Sequence, residues 1–156
     1  MLHDPRHEDP LGRLTHQLRL APAPTSDLFA AVIADACTRL TRPQHAPNAA
    51  RIRWLIGACA WTDAALALIE LELSQWQVRR LLHEDGEWLC SLSRQGRLPA
   101  ELDEMAEAVH ASLPLAILGA LVEAQCHRLM AFERRAPTVP DVSLAQDHVL
   151  CCDNFA

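Results

Sequence analysis

Cysteine and histidine are the residues of this chain best suited to bind a metal ion, and the chain has six and eight of them, respectively. His148, Cys151 and Cys152 gather in one segment near the carboxyl end. Thiolate and imidazole ligands together favour zinc or copper. Because no second cluster stands at a recognised ligand spacing, we expect no bound metal or other cofactor. His3 and His7 lie among carboxylates, in a terminal segment that we expect to be solvated.

Two other residue pairs could support acid-base or nucleophilic chemistry. Cys126 precedes His127, but adjacent residues on a helix diverge by about 100°, so an activated thiolate is not predicted. Glu101 and Glu104 are near neighbours on a predicted helix. They lie opposite its apolar stripe, which indicates a solvated face rather than a catalytic pair. The pattern therefore predicts no catalytic residue.

The candidate nucleic-acid contacts are arginines near a predicted hairpin: Arg79, Arg80, Arg94 and Arg97. Three predicted helices followed by a hairpin also match the element order of a winged helix. The net charge is −6, however, and the helix that would enter the major groove, residues 63–73, carries three acids and no basic residue. Such a helix would be repelled by phosphates. A DNA-associated regulator is therefore the alternative function, and nucleic acid is not the expected partner.

Composition limits the possible classes of protein. The 156 residues suit one domain, half of them are apolar, and lysine and tyrosine are both missing. The lack of lysine excludes Schiff-base chemistry and a lysine-bearing phosphate loop. The longest apolar run, Leu113 to Val122, is too short to span a membrane, and the amino terminus does not resemble a secretory signal. We expect a soluble cytoplasmic protein with reduced cysteines.

The segment WQVRRLLHEDGEWLCSLSR, residues 76–94, predicts an antiparallel hairpin around Gly86. We expect a three-residue loop, residues 84–86, which pairs His83 with Glu87. This register places the apolar residues of both strands on one face: Trp76, Val78, Leu82, Trp88, Cys90 and Leu92. A two-residue Asp85-Gly86 loop would scatter them over both faces.

Apolar spacing and caps predict five helices, over about residues 26–40, 48–60, 62–73, 99–109 and 112–135. The fold class is therefore α+β, predominantly helical, with one antiparallel β-hairpin between the third and fourth helices. We expect residues 1–24 to be disordered, residues 25–135 to form a single domain with its core in 48–135, and residues 136–156 to be a partly disordered tail.

Three segments carry a resemblance to a known family: ARIRWLIGACAWTDAALALIELE, EDGEWLCSLSRQ and LPLAILGALVEAQ. From about residue 50 to residue 125 the chain resembles a family of small uncharacterised α-proteobacterial proteins. The resemblance implies a domain centred on that half of the chain. It implies no activity, ligand or catalytic residue.

The leading hypothesis is a non-enzymatic protein-interaction or accessory module. The second predicted helix is apolar on nearly every side, which indicates burial against its own chain or against a partner. Trp54 and Trp61 are the candidate interaction surface, and the expected partner is a second copy in a homodimer or another protein. The alternatives are the winged-helix-like regulator and a thiol or metal-binding protein that uses His148, Cys151 and Cys152.

Overall fold

The computed structural model describes residues 9–99 and 101–135. Their elements are the α-helices α1 (Pro10–Leu20), α2 (Ser26–Ala36), α3 (Ala46–Gly57), α4 (Trp61–Glu72) and α5 (Leu113–Arg135), a short 3₁₀ turn at Pro43–His45, and the strands β1 (Gln77–Glu84), β2 (Glu87–Ser93) and β3 (Met105–His110). The predicted α+β class with a predominance of helix is confirmed. The predicted position of the hairpin is corrected, since it lies between α4 and α5 and belongs to a three-stranded sheet.

Helix α1 corrects the expectation of disorder for the part of residues 1–24 that the structure describes. Asp9 caps the helix by accepting a 3.1 Å hydrogen bond from the Leu11 N–H, and Pro10 takes the first helical position, where its missing N–H costs nothing. Leu11, Leu14 and Leu18 are buried on one side. This stripe packs α1 against α5 and α2. Residues 1–8 and the predicted tail at 136–156 lie outside the described residues.

Helix α5 is the centre of the core. Its residues Leu115–Leu118, Ala120–Val122 and Ala124 are fully or almost fully buried, and it packs against α1, α4, β2 and β3. Within the described part of the chain it is the one helix long and apolar enough to cross a membrane, but half of its apolar stretch is buried inside the structure.

The sheet has the order β1-β2-β3, with both pairs antiparallel. The segment predicted as a fourth helix is instead a turn followed by β3. Trp88, Cys90 and Leu92 of β2 pair with His110, Ala108 and Ala106 of β3, and the burial of Cys90, Leu92 and Ala106 identifies the sheet face that packs on α5. A Cβ at Gly119 would lie 2.8 Å from the Cβ of Ala108, so a glycine is needed where helix and sheet meet.

The hairpin register also differs from the prediction. Glu84 pairs with Glu87 across a two-residue loop, and both loop residues have positive φ, 52° at Asp85 and 84° at Gly86. This is the geometry of a type I′ turn, which matches the right-handed twist of the strands. A bulge between Val78 and Arg80 then shifts the register of β1. The apolar residues of β1 therefore do not all share a face with those of β2.

Candidate functional site

The residues with the strongest predicted metal-binding chemistry lie outside the described part of the chain. His148, Cys151 and Cys152 belong to residues 136–156, and His3 and His7 belong to residues 1–8. Within residues 9–99 and 101–135, no group of three or more His, Cys, Asp and Glu side chains is placed to hold a metal ion.

Two of the four hairpin arginines are engaged by carboxylates. Arg79 Nη1 lies 2.6 Å from Asp103 Oδ2, and Arg94 Nη1 lies 3.0 Å from Glu104 Oε2. Arg80 and Arg97 have no ion-pair or side-chain hydrogen-bond partner among the residues that the structure describes. The acids come from the turn before β3, so positive charge near the hairpin is largely cancelled locally. This arrangement weakens the case for phosphate contacts.

Asp103 is the most strongly hydrogen-bonded carboxylate of this turn. It accepts hydrogen bonds from the Ser93 hydroxyl, from the Gln95 N–H at 2.9 Å and from Arg79. The hydrogen bond from Ser93 lowers the pKa of the Asp103 carboxyl from its ordinary value of 3.8, and the contacts with Gln95 and Arg79 lower the pKa further against the opposing effect of burial. The turn is thereby fastened to the end of β2, which is a structural role.

The predicted pair of carboxylates, Glu101 and Glu104, does not lie on a helix. Glu104 binds Arg94, both through its side chain and through its carbonyl, which accepts from the Arg94 N–H at 3.1 Å. Glu101 is exposed in the turn before β3. Because one carboxylate is ion-paired and the other is solvated, the arrangement does not desolvate either for acid-base work.

The described cysteines occupy sites that disfavour a thiolate or lie apart from any base. Burial raises the pKa of the Cys90 thiol to about 11 and raises that of Cys37 further. Burial and the charge of Glu123 raise the pKa of Cys126, and the His127 ring turns to Glu123, with Nε2 3.4 Å from Oε1. Cys59 is exposed in the α3–α4 connection. Cys126 and His127 therefore do not form a nucleophile and its base.

Both ring nitrogens of the half-buried His110 make hydrogen bonds within the fold. Its Nδ1 accepts a 2.8 Å hydrogen bond from the Ser112 N–H, and its Nε2 lies 3.0 Å from the carbonyl oxygen of Ala21. The first contact requires a lone pair on Nδ1, so Nε2 carries the proton that Ala21 accepts. Both ring nitrogens join elements of the fold, and neither is open to a substrate.

The two tryptophans of the predicted interaction surface have different environments. Trp54, on α3, is 70% exposed. Trp61, at the start of α4, is half-buried and stacks on Phe29, with 5.4 Å between ring centroids. Trp61 therefore contributes to the internal packing, and of the two tryptophans Trp54 is the one whose ring is mostly exposed to solvent.

The solvent-facing side of α3 surrounds Trp54 with small residues. At the helical spacings of one turn and two turns around it lie the exposed Arg51 and four exposed residues with small side chains or none: Pro47, Ala50, Gly57 and Ala58. A Cβ at Gly57 would meet no atom within 4 Å, so internal packing does not require a glycine at this position. We call this surface, Pro47, Ala50, Trp54, Gly57 and Ala58, the Trp54 face.

Two further features were not recognised from the sequence. Glu72 is buried at 1% exposure and its carboxylate accepts three backbone hydrogen bonds from Thr38, Arg39 and Leu40. The other feature is β1, a strand whose eight residues are all exposed at the edge of the sheet. The signal for the edge strand was present in the sequence, because Arg79 and Arg80 in mid-strand are typical of an edge. Nothing in the local sequence indicated that Glu72 is buried and hydrogen-bonded, because its partners lie more than thirty residues away.

A groove of about 890 Å³ runs between α1 and the α1–α2 connection. It is broad and open, and its floor is mostly apolar, with Leu20 among the exposed residues. The polar residues that line it include Asp9, Arg13 and His16. The groove is a surface depression rather than a catalytic cavity.

Comparisons with known proteins found no match for this chain among protein-family models, curated proteins or solved structures. The resemblance to the uncharacterised α-proteobacterial family therefore stays a prediction.

Proposed function

We propose that this protein is a non-enzymatic, cytoplasmic interaction or accessory module that binds another protein on the Trp54 face. The observation that carries the proposal is the exposed indole of Trp54, 70% accessible, on a helix side where four of its exposed neighbours are small and Arg51 is charged. Tryptophan is the residue type most enriched among those that dominate binding energy at interfaces. A tryptophan surrounded by small residues offers both an anchor and room for close approach.

The small neighbours of Trp54 matter because they set how near a partner can come. Ala50 lies one turn before Trp54, and Gly57 and Ala58 lie one turn after it. Gly57 costs the helix about 1 kcal/mol relative to alanine. Since no neighbour within the chain needs the space that this glycine leaves, contact with a partner is the simplest use for it.

The charge of α3 favours a particular partner chemistry. Arg51 and Arg53 are exposed on both sides of the small-residue stripe, and α3 contains no carboxylate. Two copies of this helix face to face would bring four guanidinium groups together. We therefore propose an apolar segment that carries Asp or Glu as the occupant of the Trp54 face, because complementary charge fixes orientation and speeds encounter.

The roles of the titratable groups support binding rather than catalysis. Within the described residues, Glu72, Asp103 and His110 each join elements of the fold through hydrogen bonds. Buried thiols with raised pKa values are poor nucleophiles at neutral pH. These side chains are occupied in holding the structure together.

The test is site-specific photo-crosslinking in the organism that makes this protein. A photoreactive phenylalanine analogue replaces Trp54 in one variant and Phe132, an equally exposed aromatic residue on α5, in the control. We expect one protein to be captured from position 54 alone, through a segment with apolar and acidic residues. With that protein purified, Trp54→Ala should weaken binding by about thirtyfold or more.

Two further results decide the proposal. Arg51→Glu combined with Arg53→Glu should weaken binding, and added salt should weaken the wild-type complex, if the partner is acidic. Capture that is equal from positions 54 and 132, or binding that Trp54→Ala leaves unchanged, would contradict the proposal.

A further inference from the structure

Strand β1 leaves one edge of the sheet open. It pairs with β2 along one side, and β2 is the only element of the described structure with which it makes extensive contact. All eight residues of β1 are exposed, including the apolar side chains of Val78 (41%), Leu81 (40%) and Leu82 (38%). An open edge of this kind presents unpaired backbone N–H and C=O groups that another strand can use.

The other edge of the sheet is not equally available. Ala21 accepts a hydrogen bond from His110 at the end of β3, and Thr15, Leu18 and Arg19 of α1 line a small cavity with residues 107–110. Helix α1 and the segment after it therefore stand beside β3. Of the two edges, β1 is therefore the one with no other described element beside it.

The loop geometry fixes which groups of β1 point outward. In a hairpin with a two-residue loop, the residues that flank the loop exchange hydrogen bonds, so Glu84 points its backbone groups at Glu87. Hydrogen-bonded and non-hydrogen-bonded pairs then alternate along the strands. Leu81 and His83, opposite Cys90 and Trp88, consequently direct their N–H and C=O groups away from β2.

We infer that β1 pairs with β1 of a second copy, antiparallel about a two-fold axis, with Leu82 opposite Leu82. This register uses the outward groups, because Leu81 of each copy lies opposite His83 of the other and exchanges backbone hydrogen bonds with it. The homodimer uses a surface separate from the Trp54 face, so it does not depend on the proposed function.

Charge complementarity selects this register. With Leu82 on the axis, Arg80 of each copy lies directly opposite Glu84 of the other, in non-hydrogen-bonded pairs whose side chains are closest. The side chains of Arg80 and Glu84 have no hydrogen-bond or ion-pair partner within the described chain. Moving the axis to Leu81 would place Glu84 opposite Val78, and moving it to His83 would place Glu84 opposite Leu82. Neither alternative forms an ion pair.

The pairing also relieves a repulsion inside the hairpin. Glu84 lies directly opposite Glu87, and like charges at such a position destabilise a pair of strands. Arg80 of the second copy would lie beside both carboxylates on the outer face of the sheet. In a single copy the Glu84 and Glu87 carboxylates repel each other. In the dimer, the guanidinium group of Arg80 from the second copy offsets this repulsion.

The expected dimer is weak and concentration-dependent. Pairing of one short strand with its copy buries less than the roughly 1,200 Å² of a stable standard interface. The full chain should therefore convert from monomer to dimer between low micromolar and submillimolar concentrations, as measured by sedimentation equilibrium. A sedimentation profile that stays monomeric throughout this range would overturn the inference.

Charge reversal tests the register. Arg80→Glu places two like-charged pairs of carboxylates across the interface, and Glu84→Arg does the same with pairs of guanidinium groups. Each variant alone should weaken self-association by about tenfold or more. An equimolar mixture of the two variants should form a heterodimer better than either variant forms a homodimer.

The heterodimer has one end at which position 80 of the Arg80→Glu chain faces the introduced arginine at position 84 of the other chain. At the other end, the wild-type Arg80 of the Glu84→Arg chain faces the wild-type Glu84 of the Arg80→Glu chain. Both ends therefore carry one carboxylate and one guanidinium group, as in the wild-type dimer, and the ion pairs are restored.

The mixture separates the pairing from effects of each substitution on folding, since misfolded chains would not complement each other. Arg97→Glu, the same charge change at an exposed arginine outside β1, should leave the dimer unchanged. Trp54→Ala should also leave it unchanged. Variants that fail to heterodimerise, or single reversals that associate as the wild type does, would contradict this register.

Discussion

The carboxylate of Glu72, at the end of α4, accepts a 2.7 Å hydrogen bond from the backbone N–H of Leu40, which lies 32 residues earlier in the chain. The same carboxylate accepts from the N–H groups of Thr38 and Arg39 at 3.1 and 3.0 Å. Three consecutive backbone donors are thereby satisfied, including that of the buried Leu40. One side chain holds the connection after α2 against α4.

Glu72→Gln should lower the free energy of unfolding by about 2 kcal/mol, because an amide has one acceptor oxygen and would turn its own N–H groups toward a backbone donor. Urea denaturation measures the change. Glu70→Gln, at an exposed position of the same helix, is the matched control and should change stability by less than about 0.5 kcal/mol. Equal effects of the two substitutions would show that the three hydrogen bonds contribute little.

Gly119→Ala should destabilise the fold, although alanine is the better helix former. The added Cβ would lie 2.8 Å from that of Ala108, and overpacking where backbones cannot rotate away costs about 1–3 kcal/mol. Adding Ala108→Gly removes the clash, so the double variant should lose less stability than the sum of the two single variants. Strict additivity in urea denaturation would contradict this contact.

Gly57→Ala is the opposite case on another helix. No atom within 4 Å would meet the new Cβ, so we expect stability to rise by up to about 1 kcal/mol from the lower backbone entropy of the unfolded chain. Thermal and urea denaturation both report the sign. A loss of stability would mean that a neighbour approaches Gly57 more closely than the structure indicates.

Asp103 should make stability depend on pH in the acidic range. Its pKa is lowered from 3.8 on folding, chiefly by the hydrogen bond from Ser93, so below pH 3.8 the unfolded state binds more protons than the folded state. The contribution of Asp103 is thus fully present above pH 3.8 and is lost as the pH falls toward the lower pKa of the folded state.

Asp103→Asn should flatten this dependence. Urea midpoints measured at about pH 5 and about pH 3 should differ less in the variant than in the wild type. Asp63→Asn, which changes an exposed carboxylate in the first turn of α4, is the control and should keep the wild-type slope. The same slope in all three proteins would contradict the assignment to Asp103.

Helices with a long apolar stripe were predictable from the sequence, and α2, α3, α4 and α5 lie within a few residues of the predicted ranges. Helix α1 was missed although its signals were present, because Asp9-Pro10 is a typical helix start and Leu11, Leu14 and Leu18 have helical spacing. The abundance of His, Arg and Pro around these residues favoured disorder instead. The helix-cap pattern at Asp9-Pro10 therefore predicted this helix better than the composition of the segment did.

Strand β3 could not be recognised from its own sequence. Leu102, Met105 and Val109 fit a helical spacing, while Ala106 and Ala108 alternate as in a strand, and a short segment does not decide between the two periods. The deciding contacts are distant in sequence. The open side of β2 needs a partner, and the bond from Arg79 to Asp103 fastens the turn from which β3 begins.

The hairpin itself was predictable, but its register was not. Hydrophobic alternation favoured a three-residue loop, whereas the backbone preference of Asp85-Gly86 for positive φ produced a two-residue loop. The bulge near Arg79 then shifts the register of β1.

For the candidate interaction surface, the exposure of Trp54 was predictable from the helical pattern. Burial of Trp61 depends on Phe29, whose position in space the sequence does not reveal.

The unequal edges of the sheet limit how far this protein can assemble. A sheet that is free along both sides can recruit strands without end, which is the route to fibrils. Here α1 stands beside β3, and a symmetric contact through β1 would consume the same edge on both molecules. Assembly would stop once two three-stranded sheets had joined through β1. An open edge on one side of the sheet therefore leads to a closed dimer and not to a polymer.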